Sequence, residues 1–331
     1  MVTKESFQSS VATELRNYIS YKQALGHSFE SQSRVLLYLD RFLCELGKPS
    51  PDITAETFSQ WCQSMGSLCS STKLKRMGTI RNFCLYRRRR NPNCFVPDSS
   101  QFPKPSEVVR PYIFSEIEIS KLLTYSNSIP VPTISPLRAS TTRLAVVLLY
   151  TTGLRSGELL RLTRVDYHPL EQTLTVEASK FHKSRILPLP GDVALEVETF
   201  LEKSESIYPR LRDNSPLIFS PYRVDQAYDP SQLKNNLDML FNLAGIRKSN
   251  GRFPRIHDFR FSFAVNAILR WYRNGVNVQA KLPFLATYMG HISIFSTYYY
   301  LRLIEPVAQL ASSAFAVHYG ALVGEGEGGG Q

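Results

Sequence analysis

I-H-D-F-R at 256–260 opens H-D-F-R-F-S-F-A-V-N-A-I-L-R-W-Y-R, residues 257–273, which reads as an apolar helix with His257 and Arg260 on its first turn. The two lie three positions apart, so both project from one side of that helix. Y-M-G-H follows at 288–291, and Tyr298-Tyr299-Tyr300 ends nine residues beyond His291. Two histidines, an arginine and a tyrosine suit chemistry on a phosphodiester without a metal. Arginine offers a planar fork of donors matched to phosphate oxygens. Histidine moves a proton or donates to an oxygen near neutral pH. Tyrosine can attack phosphorus and hold it as a covalent ester. Further helices are expected near 277–288, 293–302 and 305–317, so the last third is mainly helical.

Working back from this stretch, T-G-L-R-S-G-E-L-L-R-L at 152–162 is the second landmark. Gly153 can close a helix over 137–151 in a conformation other residues avoid. Arg155 then stands at a turn and Ser156-Gly157-Glu158 opens a new helix. Glu158 is close enough to hold the Arg155 guanidinium; a purely structural ion pair explains the two residues equally well. Thr173, Thr175 and Glu177 alternate with Leu174, Val176 and Ala178, and Ile186-Leu187-Pro188-Leu189 follows a short basic turn, S-K-F-H-K-S-R at 179–185. This is a β-hairpin with Lys180 opening its tip. A flexible ammonium there could reach a leaving oxygen, although a lone hairpin lysine is more often simply solvated. Helices are expected over 115–127, 192–205 and 231–244. Residues 209–230 read as a loop-rich insert around Leu217-Ile218-Phe219.

The first ninety residues read as four short helices, 4–24, 28–46, one capped by Thr54, and one capped by Ser70 or Ser71 and running to about Arg90. Short loops between them make a small bundle. The fourth helix is basic throughout, with Lys73, Lys75, Arg76 and Arg81, then Arg87, Arg88, Arg89 and Arg90. That pattern suits a helix laid on DNA phosphates. The competing reading is a solvated face plus cations that favour a helix C-terminus. Pro92, Pro97, Pro103, Pro105 and Pro111 then mark a linker. The expected organisation is a helical domain over 1–95, a linker over 96–113, a second domain over 114–318 and a low-complexity tail over 319–331. The fold class is mainly α with a small antiparallel β-sheet, an α+β arrangement.

Bulk properties agree with a chain of two domains. It has 331 residues, 43% of them hydrophobic, and a formal net charge of +11. A strongly basic chain of this kind commonly meets polyanions, nucleic acid foremost. Its five cysteines, Cys44, Cys62, Cys69, Cys84 and Cys94, include no C-x-x-C pair. That argues against a disulfide framework and a zinc site, and for reduced thiols in a cytoplasmic protein. No signal peptide and no apolar run long enough to span a bilayer is read.

The ordered set of motifs resembles the tyrosine recombinases of the phage-integrase type. That family's pattern is an Arg in T-G-x-R-x-x-E-L, a Lys on a β-hairpin, H-x-x-R, then G-H and a Tyr nine residues on. Arg155 and Glu158, Lys180, His257 and Arg260, His291 and Tyr300 match it in order. Two positions depart from it: Phe261 stands where the family usually has His, and Ser179 precedes the lysine instead of Gly. The resemblance implies a core-binding domain before a catalytic domain, and phosphoryl transfer through a 3′-phosphotyrosyl ester at Tyr300. Arg155 and Arg260 would hold the non-bridging oxygens, His291 would add a hydrogen bond, His257 would help take the tyrosine proton, and Lys180 would protonate the leaving 5′-oxygen. It implies no cofactor, no metal and no ATP. Duplex DNA carrying recombination sites is the implied partner, with a homotetramer on paired sites, an exchanged helix at 305–317, and room for an accessory DNA-bending protein. A bacterial, nucleoid-associated mobile-element recombinase is the expected role. A type IB topoisomerase-like enzyme or telomere resolvase shares the chemistry. A non-cutting DNA-binding protein is the alternative of another class.

Overall fold

The computed structural model describes residues 7–47, 49–105, 110–179, 183–291, 297, 300 and 301. Lys180, Tyr298, Tyr299, the expected helix at 305–317 and the tail at 319–331 lie outside the described residues. The chain divides into two compact units, Met1–Val109 and Arg110–Gln331. Among the described residues no helix is long and apolar enough to cross a membrane.

The first unit holds α1 (Ala12–Ala24), α2 (Glu30–Leu46), α3 (Ala55–Ser64) and α4 (Ser70–Arg88). Leu15 and Tyr18, then Leu36, Leu39 and Leu43, then Phe58 and Trp61, then Met77, Ile80 and Phe83 meet in one core. Their three- and four-residue steps are what the sequence displayed. Thr54 caps α3 as expected, accepting from the Thr57 N–H at 3.2 Å. Two boundaries differ. The first helix starts at Ala12 instead of residue 4, because buried Asp40 takes the backbone N–H groups of Gln8 and Ser9 at 2.9 and 3.0 Å. The fourth is preceded by Cys69, so neither Ser70 nor Ser71 is the cap. Phe95, Val96 and Phe102 pack on the bundle, and Arg81 Nε donates to the Pro97 carbonyl at 3.0 Å. The start of the proline-marked stretch is therefore docked.

The second unit is built on α6 (Arg138–Thr152), buried at nine positions from Thr141 to Thr152. Around it pack α5 (Glu116–Ser126), α8 (Gly191–Ile207), α9 (Pro230–Leu243) and α10 (Ile256–Arg273). Ser115 caps α5 reciprocally with Glu118, as S-E-I-E predicts. Between α6 and α8 lie the four-residue α7 (Ser156–Leu159) and an antiparallel sheet of β1 (Tyr167–His168), β2 (Thr173–Ser179) and β3 (Lys183–Pro188), in that order. The two-residue β1 is too short to carry a periodic signal. A second hairpin, β4 (Phe219–Ser220) with β5 (Arg223–Ala227), corrects the loop reading of 209–230. Only its first strand is apolar, and β5 is almost wholly exposed, so alternation is absent there. α11 (Val278–Tyr288) follows α10 and packs beside it. The fold is mainly helical with small antiparallel sheets.

Candidate active site

The turn between α6 and α7 supplies the first side chains. Gly153 ends α6 at φ +62°, and a Cβ there would stand 2.5 Å from Cδ1 of Phe263. Both the left-handed backbone and the ring contact require glycine. The turn puts Arg155 at the start of α7, where Glu158 closes back on it. Glu158 accepts from the Arg155 backbone N–H at 3.0 Å and from Arg155 Nη1 at 2.6 Å. Arg155 Nη2 donates to the Gly290 carbonyl at 3.1 Å. Gly290 ends α11 at φ +64°, and its missing Cβ leaves room for two guanidinium groups.

Arg260, on the first turn of α10, is 1% exposed. Its Nη1 donates to the Gly153 carbonyl and its Nη2 to the Met289 carbonyl, each at 2.6 Å. Burial, then the neighbouring Arg155 charge, bring its pKa down to about 10; a hydrogen bond to the Tyr300 side chain works the other way. It therefore stays charged near neutrality. The start of α10 is fixed by Asp258, fully buried, which accepts from Arg255 and pairs with Lys248 Nζ at 2.7 Å. Arg155–Glu158 and Arg255–Asp258 use the same device, an arginine at a helix start held by a buried carboxylate three residues on.

His291 follows Gly290, with Nδ1 2.8 Å from the hydroxyl of buried Thr297. Its ring stacks on Tyr300 with centroids 5.9 Å apart and planes at 15°. Burial and the charges of Arg260, Arg155 and Arg185 push its pKa down to about 4. His257 is lowered too, by burial first and then by Arg260 and Arg255. Both imidazoles are thus neutral at physiological pH. Phe261 stands edge-on to His257 at 5.1 Å and to Tyr300 at 5.2 Å, so its ring touches both. Tyr300 is 3% exposed.

Arg155, Glu158, Arg260, His257, His291 and Tyr300 thus form one cluster drawn from α7, α10 and the segment after α11. Sequence reading gave no role to three neighbours. Arg185 on β3 donates Nη2 to Glu158 Oε2 at 2.8 Å; its in-phase spacing with buried Leu187 and Leu189 was the available signal. Thr297 carries no signal of its own before the His291 contact is seen. Phe261 was noticed only as a departure from pattern. Among the described residues no group of His, Cys, Asp and Glu gathers as metal ligands.

The basic helix α4 divides into two kinds of residue. Lys75, Arg88, Arg89 and Arg90 are exposed, while Lys73, Arg76 and Arg81 are half-buried. Arg76 lies over the Tyr38 ring and Arg90 over Tyr86. Arg87 is a correction. It is 6% exposed and its fork closes on Asp52 at 2.8 and 3.1 Å, with Glu14 2.8 Å from Nε. Its Nη groups are taken by the Asp52 carboxylate, and the buried Nε faces Glu14 without a hydrogen bond among the described residues, so the fork is turned into the bundle and not towards a phosphate.

Residues 113–305 match the profile of the phage integrase family. The chain belongs to that family, the tyrosine recombinases. The recombinase is 29% identical over 306 residues to y4rB of Sinorhizobium fredii, whose name places it provisionally among the integrases/recombinases; the match covers 88% of this chain and 93% of that one. The tyrosine recombinase XerA of Pyrococcus furiosus is 29% identical over 163 residues, 49% of this chain and 50% of its own. Two solved structures share the fold. XerH bound to palindromic difH substrate in a post-cleavage complex gives a TM-score of 0.62 at 18% identity, over 86% of this chain and 78% of that one. The Tn1549 transposon integrase with circular intermediate DNA gives 0.62 at 15% identity, over 92% and 99%.

Proposed function

We propose that this recombinase cuts and rejoins DNA at specific sites through a 3′-phosphotyrosyl intermediate on Tyr300. The observation that carries the reading is that Arg260 and His291 meet the Tyr300 side chain, with Arg155 and His257 beside those two, in a family whose profile spans all five residues. The phenol oxygen attacks the scissile phosphorus as the bond to the 5′-oxygen breaks. Free tyrosine, with a pKa of about 10, is little ionised at neutrality, so its proton must be taken. His257, held neutral, is the acceptor. Arg260 donates to the Tyr300 oxygen and so favours the anion. Arg155 and Arg260 stabilise charge on the non-bridging oxygens as it develops, and His291 adds a hydrogen bond. One preorganised donor of this kind is typically worth about 3–4 kcal/mol in the barrier. Lys180 protonates the departing 5′-oxygen. Attack by a 5′-hydroxyl of a partner strand reverses the step and conserves the bond.

The exposed cations Lys75, Arg88, Arg89 and Arg90, with the half-buried Lys73, Arg76 and Arg81, would contact duplex phosphates from the first unit. Exchange needs four cuts on two duplexes, so four protomers assemble on paired sites, with residues 305–317 as the segment given to a neighbour. The names of y4rB and the Tn1549 integrase favour a mobile-element role.

A pool of nicked duplexes with randomised arms tests the chemistry and finds the site together. Denaturing capture should recover one family of sequences bound covalently to the wild-type chain and none bound to Tyr300→Phe. Recovery of adduct with the Phe variant would remove Tyr300 from the role. Two-duplex exchange against relaxation of one duplex then separates recombination from topoisomerase-like action.

A further inference from the structure

We infer that Arg185 is a positioning residue of the strand-transfer site: it holds Arg155 at both of that side chain's anchors, the Glu158 carboxylate and the Gly290 turn. The inference rests on the proposed phosphoryl transfer and deepens it. Arg155 has 35% of its side chain exposed, so it is the guanidinium that a backbone phosphate can reach. One N–H of each Nη is taken, by Glu158 Oε1 and by the Gly290 carbonyl, which leaves the others for a ligand. Arg185 lies at each of those points. Its Nη1 and Nη2 donate to the two oxygens of Glu158 at 3.3 and 2.8 Å. Its Nη1 also stands 2.9 Å from where a Cβ on Gly290 would be, with Arg155 Nη1 3.6 Å from the same point.

The arrangement is an Arg–Glu–Arg bridge with unequal ends. Glu158 is 2% exposed, and a carboxylate that deep is costly unless both oxygens are matched. Both arginines reach both oxygens, Arg155 through Nη1 and its backbone N–H and Arg185 through Nη1 and Nη2. Arg185 is itself only 9% exposed, and its buried Nε has no hydrogen-bond partner among the described residues. A buried orphan donor costs stability. The match to Glu158 explains a cation here, but not a third arginine with an unmatched Nε crowded beside Arg155 and Arg260, which already repel. A reason appears if the bridge orients the reachable guanidinium. Losing Arg185 would free Glu158 to swing with Arg155 and would loosen the turn that carries the Gly290 carbonyl.

The test uses the full chain and the nicked duplex recovered by selection, made with an ordinary scissile phosphate and with a methylphosphonate in its place. The methylphosphonate has one charged non-bridging oxygen fewer, so it depends less on the arginine clamp. Arg185→Met should bind the intact duplex normally and form adduct on the phosphate about 10²-fold slower, the size expected for one misplaced donor. On the methylphosphonate the gap to wild type should largely close, as it should for Arg155→Ala. An equal loss on both substrates, or no loss, overturns the inference. Where Arg185→Met shows no cooperative unfolding transition, Arg185→Met with Glu158→Gln removes the charge pair together and is read on the same two substrates. Phenylglyoxal labelling without DNA reads the contact itself. Arg155 should label faster in the variant while Arg143, paired with Glu196, keeps its rate. An unchanged rate at Arg155 overturns the inference, whereas absence of adduct with the wild-type chain overturns only the proposed chemistry.

Discussion

Glu158 shows how much one side chain carries. Burial pushes its carboxyl up, but hydrogen bonds from Arg185 and Arg155 outweigh that and bring it down to about 2. Because its folded pKa lies below the unfolded one, the stability it contributes is present above pH 4.5 and is lost as pH falls towards 2. One pKa unit corresponds to about 1.4 kcal/mol, so that loss is of the order of 3 kcal/mol. His291 adds to the acid sensitivity at higher pH. Its pKa is lowered from 6.5 to about 4, so the unfolded chain takes up a proton first and stability falls across that interval. Denaturant titrations from pH 7 to pH 3 should show both losses, and Glu158→Gln should lack the lower one. That variant should also lose roughly 3 kcal/mol at pH 7, since it strands two guanidiniums. Wild-type-like stability of Glu158→Gln at pH 7 would show that the bridge is not structural. The catalytic-type residues were legible because their order and spacing are kept in the chain. Arg185 was not, because its role depends on a carboxylate twenty-seven positions away that only the fold brings near.

At the scale of elements, the site is a set of ends. Arg155 sits where α6 gives way to α7, His257 and Arg260 on the first turn of α10, and His291 just past α11. Each end is fixed by a turn, and two of those turns need glycine. Gly153→Ala must place a Cβ into the Phe263 ring and keep φ near +62°. It should cost about 2–3 kcal/mol in thermal or denaturant unfolding, the strained backbone and the clash together. Gly275, at φ +64° with nothing near its Cβ, supplies the control. Gly275→Ala should cost only about 1 kcal/mol. Equal costs at the two positions would mean that the Phe263 contact relaxes freely. The helices were legible wherever a stripe of large apolar residues repeats, as in α2 and α6. The hairpin of β4 and β5 was not, because β5 is exposed on both faces and shows no period. The start of α1 escaped too, because Asp40, far along the chain, settles it.

Across the whole molecule, the basic charge sorts into cations that face solvent and cations that build the bundle. Replacing Lys75, Arg88, Arg89 and Arg90 by Gln should flatten the salt dependence of duplex binding, by about 0.9 in log–log slope for each phosphate no longer neutralised. Arg87→Ala should behave differently. It leaves the slope unchanged and lowers stability by about 2 kcal/mol, a buried pairing discounted because Asp52 and Glu14 are half-exposed. A slope that falls on removing Arg87 would place it on the DNA after all. The division into a helical, basic first unit and a mixed second unit could be read from composition. The proposed assembly of four copies could not be argued from packing, since residues 305–317 lie outside the described residues. All of this stands on the tyrosine. Wild-type chain, Tyr300→Phe and Tyr299→Phe, each incubated with the selected nicked duplex and run under denaturing conditions, should give adduct, no adduct and adduct respectively, with duplex binding equal in all three. Adduct on Tyr300→Phe together with none on Tyr299→Phe would move the nucleophile to its neighbour and undo the assignment built around Tyr300.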